Sequence, residues 1–198
     1  GLLYIDDQNS EKLDIPKSYG EDDLPIILQD KTFTKDKQLD YDKVLNEDGT
    51  TGDTLLINGV VNPKLTIERK KVRLRILNGS NMRTYKLRFN NDMEFQQIAS
   101  DGGFLNKPTT TNEIEVAPGE RVEVIVDLTK VKENEVSLVN EDKKTILPIH
   151  LKGTVNHSKT VETVNQLNSI RTTDDMKNKK VTKTIKLAGM MNNVTIND

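Results

Sequence analysis

The sequence predicts an all-β protein folded as a sandwich of two sheets. Three observations carry that prediction. Apolar residues recur at every second position through many short runs, the pattern of strands with one buried face. Gly, Pro, Asn and Asp, residues that favour turns, separate the runs. No stretch sustains a helical apolar period long enough for a long amphipathic helix, and many short strands without helices pack best as two stacked sheets.

Taken in order, strands are expected at 2–5, 24–28, 54–57, 65–68, 72–77, 84–89, 95–99, 113–116, 121–128, 136–139 and 146–151. The pair at 72–89 is the clearest. Val72, Leu74 and Ile76 alternate with Arg73 and Arg75; Tyr85, Leu87 and Phe89 alternate with Lys86 and Arg88. Asn78-Gly79 tolerates positive φ, and Ser80 and Asn81 can bond the local backbone. The expected outcome is a compact turn joining an antiparallel pair with an apolar inner face and a cationic outer face. The glycines of S-D-G-G-F (100–104) precede no helical pattern, which disfavours a phosphate cradle and favours a turn that doubles strand 95–99 back on itself. In V-A-P-G-E-R-V-E-V-I-V-D-L, Pro118 and Gly119 suit the two central positions of a type II turn. Arg121 either pairs with Asp101 beneath that turn or faces solvent, and Val122, Val124, Val126 and Leu128 form the inner face of a core strand.

One sandwich then spans 23–153, flanked by polar segments at 8–22 and 154–181 that read as linkers with scattered aliphatics such as Val161, Val164, Leu167 and Ile170. Alternation resumes in 182–198 at Ile185 and Leu187, crosses Asn192-Asn193 and continues at Val194 and Ile196, as in the opening hairpin of a further domain. The strand at 2–5 reads equally as the last strand of a preceding one.

Composition narrows the function. With 198 residues and 34% hydrophobic content, the chain is long enough for one good core. Its 29 Lys and Arg nearly balance 31 Asp and Glu without a long block of one sign, so neither a nucleic-acid stripe nor a polybasic membrane patch is indicated. No apolar run is long enough to cross a bilayer, and G-L-L-Y-I-D-D lacks the character of a signal peptide, although a chain opening on Gly need not be the start of the translated protein. The absence of cysteine excludes disulfides, a catalytic thiol and thiolate metal sites. Only His150 and His157 offer imidazole, and both read as structural or solvent-facing. A blue copper site needs two histidines and a cysteine in one place, which this chain cannot supply. Met190-Met191 is better read as packing than as soft copper ligation. There is no G-x-S-x-G and no serine with a plausible histidine, so nucleophilic catalysis has no candidate.

The runs L-L-I-N-G, R-L-R-I-L-N-G-S-N-M-R-T-Y-K-L, I-A-S-D-G-G-F-L and V-A-P-G-E-R-V-E-V-I-V-D-L, in that order, resemble the middle cupredoxin-like domain of three-domain multicopper oxidases of the bacterial laccase and spore-coat type. The resemblance implies a Greek-key cupredoxin-like β-sandwich. It covers nearly the whole chain: 1–7 is similar to the last strand of the first domain and 182–198 to the first hairpin of the third. In such oxidases a blue copper takes electrons from a reducing substrate and passes them to a trinuclear copper cluster that reduces dioxygen to water. The family's His-x-His and His-Cys-His ligand motifs belong to the outer domains and none is present here. The resemblance therefore implies no cofactor in this chain, copper in the parent protein, and a spacer role for this domain, inactive in isolation. Thr51, Gly52, Asn81, Met82 and Thr84 match family positions near the substrate cleft, though a plain turn role fits the same residue types.

The partners implied are the flanking cupredoxin domains of the same polypeptide, dioxygen and a reducing substrate. Unpaired terminal strands would be disordered, fold back on the sandwich or pair with a second copy. The sequence does not fix the compartment, and the resemblance leans toward an extracytoplasmic or cell-surface setting. Two other readings compete. One is a copper-free relative of the same architecture acting through protein association, like a bacterial division protein; the other is a free-standing β-sandwich binding module. Ligand motifs in the flanking sequence would separate the first from the oxidase.

Overall fold

The computed structural model describes residues 2–40, 49–155, 164–169, 183–189 and 195–197. After a short helix, α1 (Gln8–Lys12), come β1 (Asp23–Lys31), β2 (Thr54–Ile57), β3 (Val60–Val61), β4 (Leu65–Glu68), β5 (Lys71–Asn78), β6 (Tyr85–Phe89), β7 (Phe95–Ser100), β8 (Gly103–Thr111), β9 (Glu113–Val116), β10 (Arg121–Asp127), β11 (Glu135–Val139) and β12 (Thr145–Lys152). They form two sheets, one in the order β3-β2-β1-β5-β10-β7-β8 and the other β4-β12-β11-β6-β9. Pairing is antiparallel except for β1 with β5 and β4 with β12, which are parallel and require crossovers between the sheets. The fold is an all-β cupredoxin-like sandwich. No helix among the described residues is long and apolar enough to cross a membrane.

The core lies between the sheets, where the period-two residues meet. Val72, Leu74 and Ile76 of β5 and Val122, Val124 and Val126 of β10 face Tyr85, Leu87 and Phe89 of β6 and Leu147, Ile149 and Leu151 of β12, all buried in one cluster. Each such aliphatic side chain contributes about 1.5–3 kcal/mol by leaving water. The type II turn forms as expected, with Gly119 at φ 82° and Glu120 N donating to Ala117 O. The doubling back at 100–104 also forms, pairing Ser100 with Gly103. Of the two alternatives for Arg121, the pairing is the one observed: its amide and its guanidinium both bond Asp101.

Four expectations are corrected. Strands 72–77 and 84–89 are not an antiparallel pair, because β5 is already flanked on both edges by β1 and β10, and β6 lies in the opposite sheet between β9 and β11. The outer face of β5 is not a solvated cationic face: Arg73 and Arg75 are only 2% and 6% exposed. Residues 2–5 form no strand. The segments read as linkers also carry fixed structure. Helix α1 is closed by a capping box in which Asp7 Oδ1 accepts from Ser10 N and Ser10 Oγ accepts from Asp7 N. The Ser10 amide first, and then the Ser10 hydroxyl, donate to the ionised form and hold the Asp7 carboxyl below its ordinary range. Downstream, Leu167 is fully buried.

Residues 169–198 form a separate unit whose described part contains β13 (Leu187–Ala188) and β14 (Thr195–Ile196), antiparallel with Leu187 opposite Ile196. That is the expected hairpin pairing. His157, Val161, Ile170, Met190-Met191, the Asn192-Asn193 turn and Val194 lie outside the described residues.

Candidate functional site

Five residues selected from the sequence sit on two loops that meet strand β1. The meeting point is Asp30, near the end of β1. Its side chain is 3% exposed, and Oδ2 accepts from Gly52 N at 2.7 Å and from Arg83 Nε at 2.9 Å. Arg83 Nη2 completes the triangle by donating to Gly52 O at 2.7 Å. The Asp30 amide donates to Ser80 Oγ at 3.2 Å, and Ser80 Oγ lies 3.0 Å from the Tyr85 hydroxyl. Burial pushes the Tyr85 phenol up, so it stays neutral and able to donate. Loops 49–53 and 80–84 are thus tied to β1 through one buried carboxylate.

Around this knot, Gly52 and Asn81 border a cavity of about 50 Å³ that Asp30 and Thr50 also line. Met82, 45% exposed, packs its side chain beside Gly49. Thr51 and Thr84 stand exposed on the same two loops. The structure therefore brings Gly52 and Asn81 to one cavity, with Met82 beside Gly49 and with Thr51 and Thr84 exposed on the same loops. Asp30 Oδ1 is buried without a hydrogen-bond partner, which leaves an acceptor of uncompensated polarity in the knot.

Asp30, Ser80 and Arg83 were missed. One signal for Asp30 was available: Leu24, Ile26 and Leu28 set an inward phase, and Asp30 falls on it. A charge at an inward position of a strand needs a partner. Arg83 carried no comparable mark.

A second charged cluster lies on the outer face of the seven-stranded sheet. Parallel pairing sets Asp23 beside Arg73, and antiparallel pairing sets Glu123 beside Arg75. Arg75 donates to Asp23 from Nε and Nη2, at 2.8 and 2.7 Å, and Arg73 grips Glu123. The Tyr4 ring covers Arg75 at 3.6 Å, its hydroxyl bonding Asp23, and Phe104 covers Arg73 at 5.2 Å. A cavity of about 370 Å³ lies between this cluster and 2–5. Asp6 adds a third carboxylate, 3.6 Å from Arg75 Nη2.

His150 is exposed on β12, and among the described residues no group of three or more His, Cys, Asp or Glu could hold a metal ion. With two histidines and no cysteine in the sequence, the residues of this chain do not fit the two-histidine, one-thiolate donor set of a blue copper site.

A family sequence model described as "Multicopper oxidase" matches residues 22–166, most of the chain. The chain belongs to the multicopper oxidase family. Among similar members is "Multicopper oxidase mco" of Staphylococcus haemolyticus, 49% identical over 197 residues, covering 100% of this chain and 40% of that protein. "Cell division protein FtsP" of Xenorhabdus nematophila is 41% identical over 153 residues, 77% of this chain and 32% of that protein. The crystal structure of a laccase from Pediococcus acidilactici superposes with a TM-score of 0.81 at 32% identity, covering 96% of this chain and 40% of the laccase. This multicopper oxidase chain thus spans about 40% of the length of the staphylococcal relative and of the laccase. The family implies copper in the parent protein.

Proposed function

We propose that this chain is the middle domain of a three-domain multicopper oxidase that couples one-electron oxidation of a reducing substrate to reduction of dioxygen to water. Its role is to space two copper-bearing domains and to lend the loops around Asp30 to the substrate cleft, with Thr51, Gly52, Asn81, Met82 and Thr84 at the edge. The flanking cupredoxin domains carry every copper ligand, and 1–7 and 182–198 belong to them. The observation that carries this reading is the full coverage of the chain by a protein more than twice its length and named a multicopper oxidase.

The experiment uses the full-length parent: copper content, oxygen uptake with a panel of phenols, Mn(II) and Cu(I), and the same with Met82→Ala and Asn81→Ala. Expected are stoichiometric copper and a raised KM in the variants, with kcat for small substrates retained. Variants with unchanged KM for every substrate would remove the cleft role. A parent free of copper would favour the second reading, a copper-free protein acting by association, for which the likeness to the division protein speaks.

A further inference from the structure

Two segments that composition marks as linkers lie together on the outer face of the seven-stranded sheet. Ile15, just beyond α1, and Leu167 are buried at 6% and 1% exposure against Ile98 of β7 and Ile125 of β10. Val164 packs on the same cluster. Both backbone groups of Leu167 are satisfied by residues far away in sequence: its amide donates to Asn106 O at 2.9 Å, and its carbonyl accepts from Asn9 Nδ2 at 2.9 Å. Residues 164–169 form no strand, and Leu167 anchors them through its buried side chain and these two backbone hydrogen bonds, one of them to the other segment.

We propose that this clasp is an interdomain positioning device: Asn9, Ile15 and Leu167 fix, relative to each other, the two paths by which the polypeptide leaves the sandwich. It rests on the three-domain reading, since it sets how the domains on either side are held. An untethered polar connector behaves as a coil whose ends wander, and domains joined that way move independently. Here Asn9 and Leu167 are bonded to each other, and Ile15 and Leu167 pack on one sheet, so a displacement of either segment at these residues is resisted by the other. A simple apolar cover over Ile98 and Ile125 would need no bond between the segments, and each would then loosen alone.

The test uses the full-length parent, carrying Leu167→Ala or Asn9→Ala, with amide hydrogen exchange and small-angle X-ray scattering. Leu167→Ala is expected to speed exchange in 8–15 by at least about tenfold while β5 and β10 keep their protection. It also enlarges the maximum dimension of the particle. Asn9→Ala, which leaves no cavity, should shift both readouts in the same direction by less and stands alone if Leu167→Ala fails to fold. Unchanged exchange in 8–15 overturns the clasp, and so does faster exchange with a wild-type scattering profile, which would mean local packing only. Copper content of the wild-type parent separates this from the oxidase reading: loss of copper with the scattering response intact removes the oxidase and keeps the clasp, and the reverse result removes the clasp alone.

Discussion

Gly52 carries a constraint that its type alone does not reveal. A Cβ there would lie 2.4–2.6 Å from backbone atoms of Lys31, a distance no side chain can relieve by rotating. The glycine is required by close approach of two strands of backbone, drawn together by the shared Asp30 carboxylate. Gly52→Ala should therefore lower stability by about 1–3 kcal/mol in urea unfolding of the chain. A loss under about 0.5 kcal/mol would show that the loop relaxes freely, the size of an ordinary surface substitution. Tyr4 gives a second residue-scale expectation. Burial, then its hydrogen bond to Asp23, pushes its phenol from an ordinary 10.0 to about 12. The neutral form is the one favoured by folding, so its stabilising contribution is complete below pH 10 and is lost as pH rises toward 12. The phenolate absorbance difference between wild type and Tyr4→Phe should titrate near 12. A midpoint at the ordinary value would mean that Tyr4 does not seat on Arg75 and Asp23.

At the scale of elements, the connection between β5 and β6 turns on Asn78. Its Nδ2 donates to Arg83 O and Val116 O, at 2.7 and 2.9 Å, and its Oδ1 accepts from Ser80 N at 2.9 Å, so one buried amide steers the chain from one sheet to the other. Asn78→Ala leaves three backbone groups without partners and should cost at least about 2 kcal/mol in thermal or urea unfolding. Asn78→Asp should not restore it, because the two donated bonds are still lost. A near-neutral Asn78→Ala would refute the steering role. The turn residues of this stretch were legible, yet a hairpin was expected, because turn chemistry says that the chain reverses and not which sheet receives it. Strand β8 was missed for a related reason. N-K-P-T-T-T has no apolar alternation, and it forms a strand because β7 offers an edge; Lys107 and Pro108 suit an edge position that must not recruit another chain.

For the whole molecule, the two sheets, the inner-face residues and the type II turn follow from patterns confined to a few neighbouring residues. The same holds for the chemistry the chain lacks, since two histidines and no cysteine bound its metal binding whatever the fold. The candidate site was half legible: Gly52 and Asn81 were selected and line one cavity, while Asp30 and Arg83, which tie their loops together, were not.

Side-chain period and turn composition are local, and the sequence determined by itself a two-layer β-sandwich with Val72, Leu74, Ile76, Val122, Val124 and Val126 inside. Only the tertiary structure decided what happens on the other face. Arg73 and Arg75 are buried because β1 and β10 bring Asp23 and Glu123, some fifty residues away, into register beside them. Leu167 is core rather than linker because β7 and β10 present Ile98 and Ile125 beneath it, and because Asn9, 158 residues away, bonds its carbonyl. Whether a face meets water or another segment depends on contacts between distant parts of the chain, and no local period encodes them.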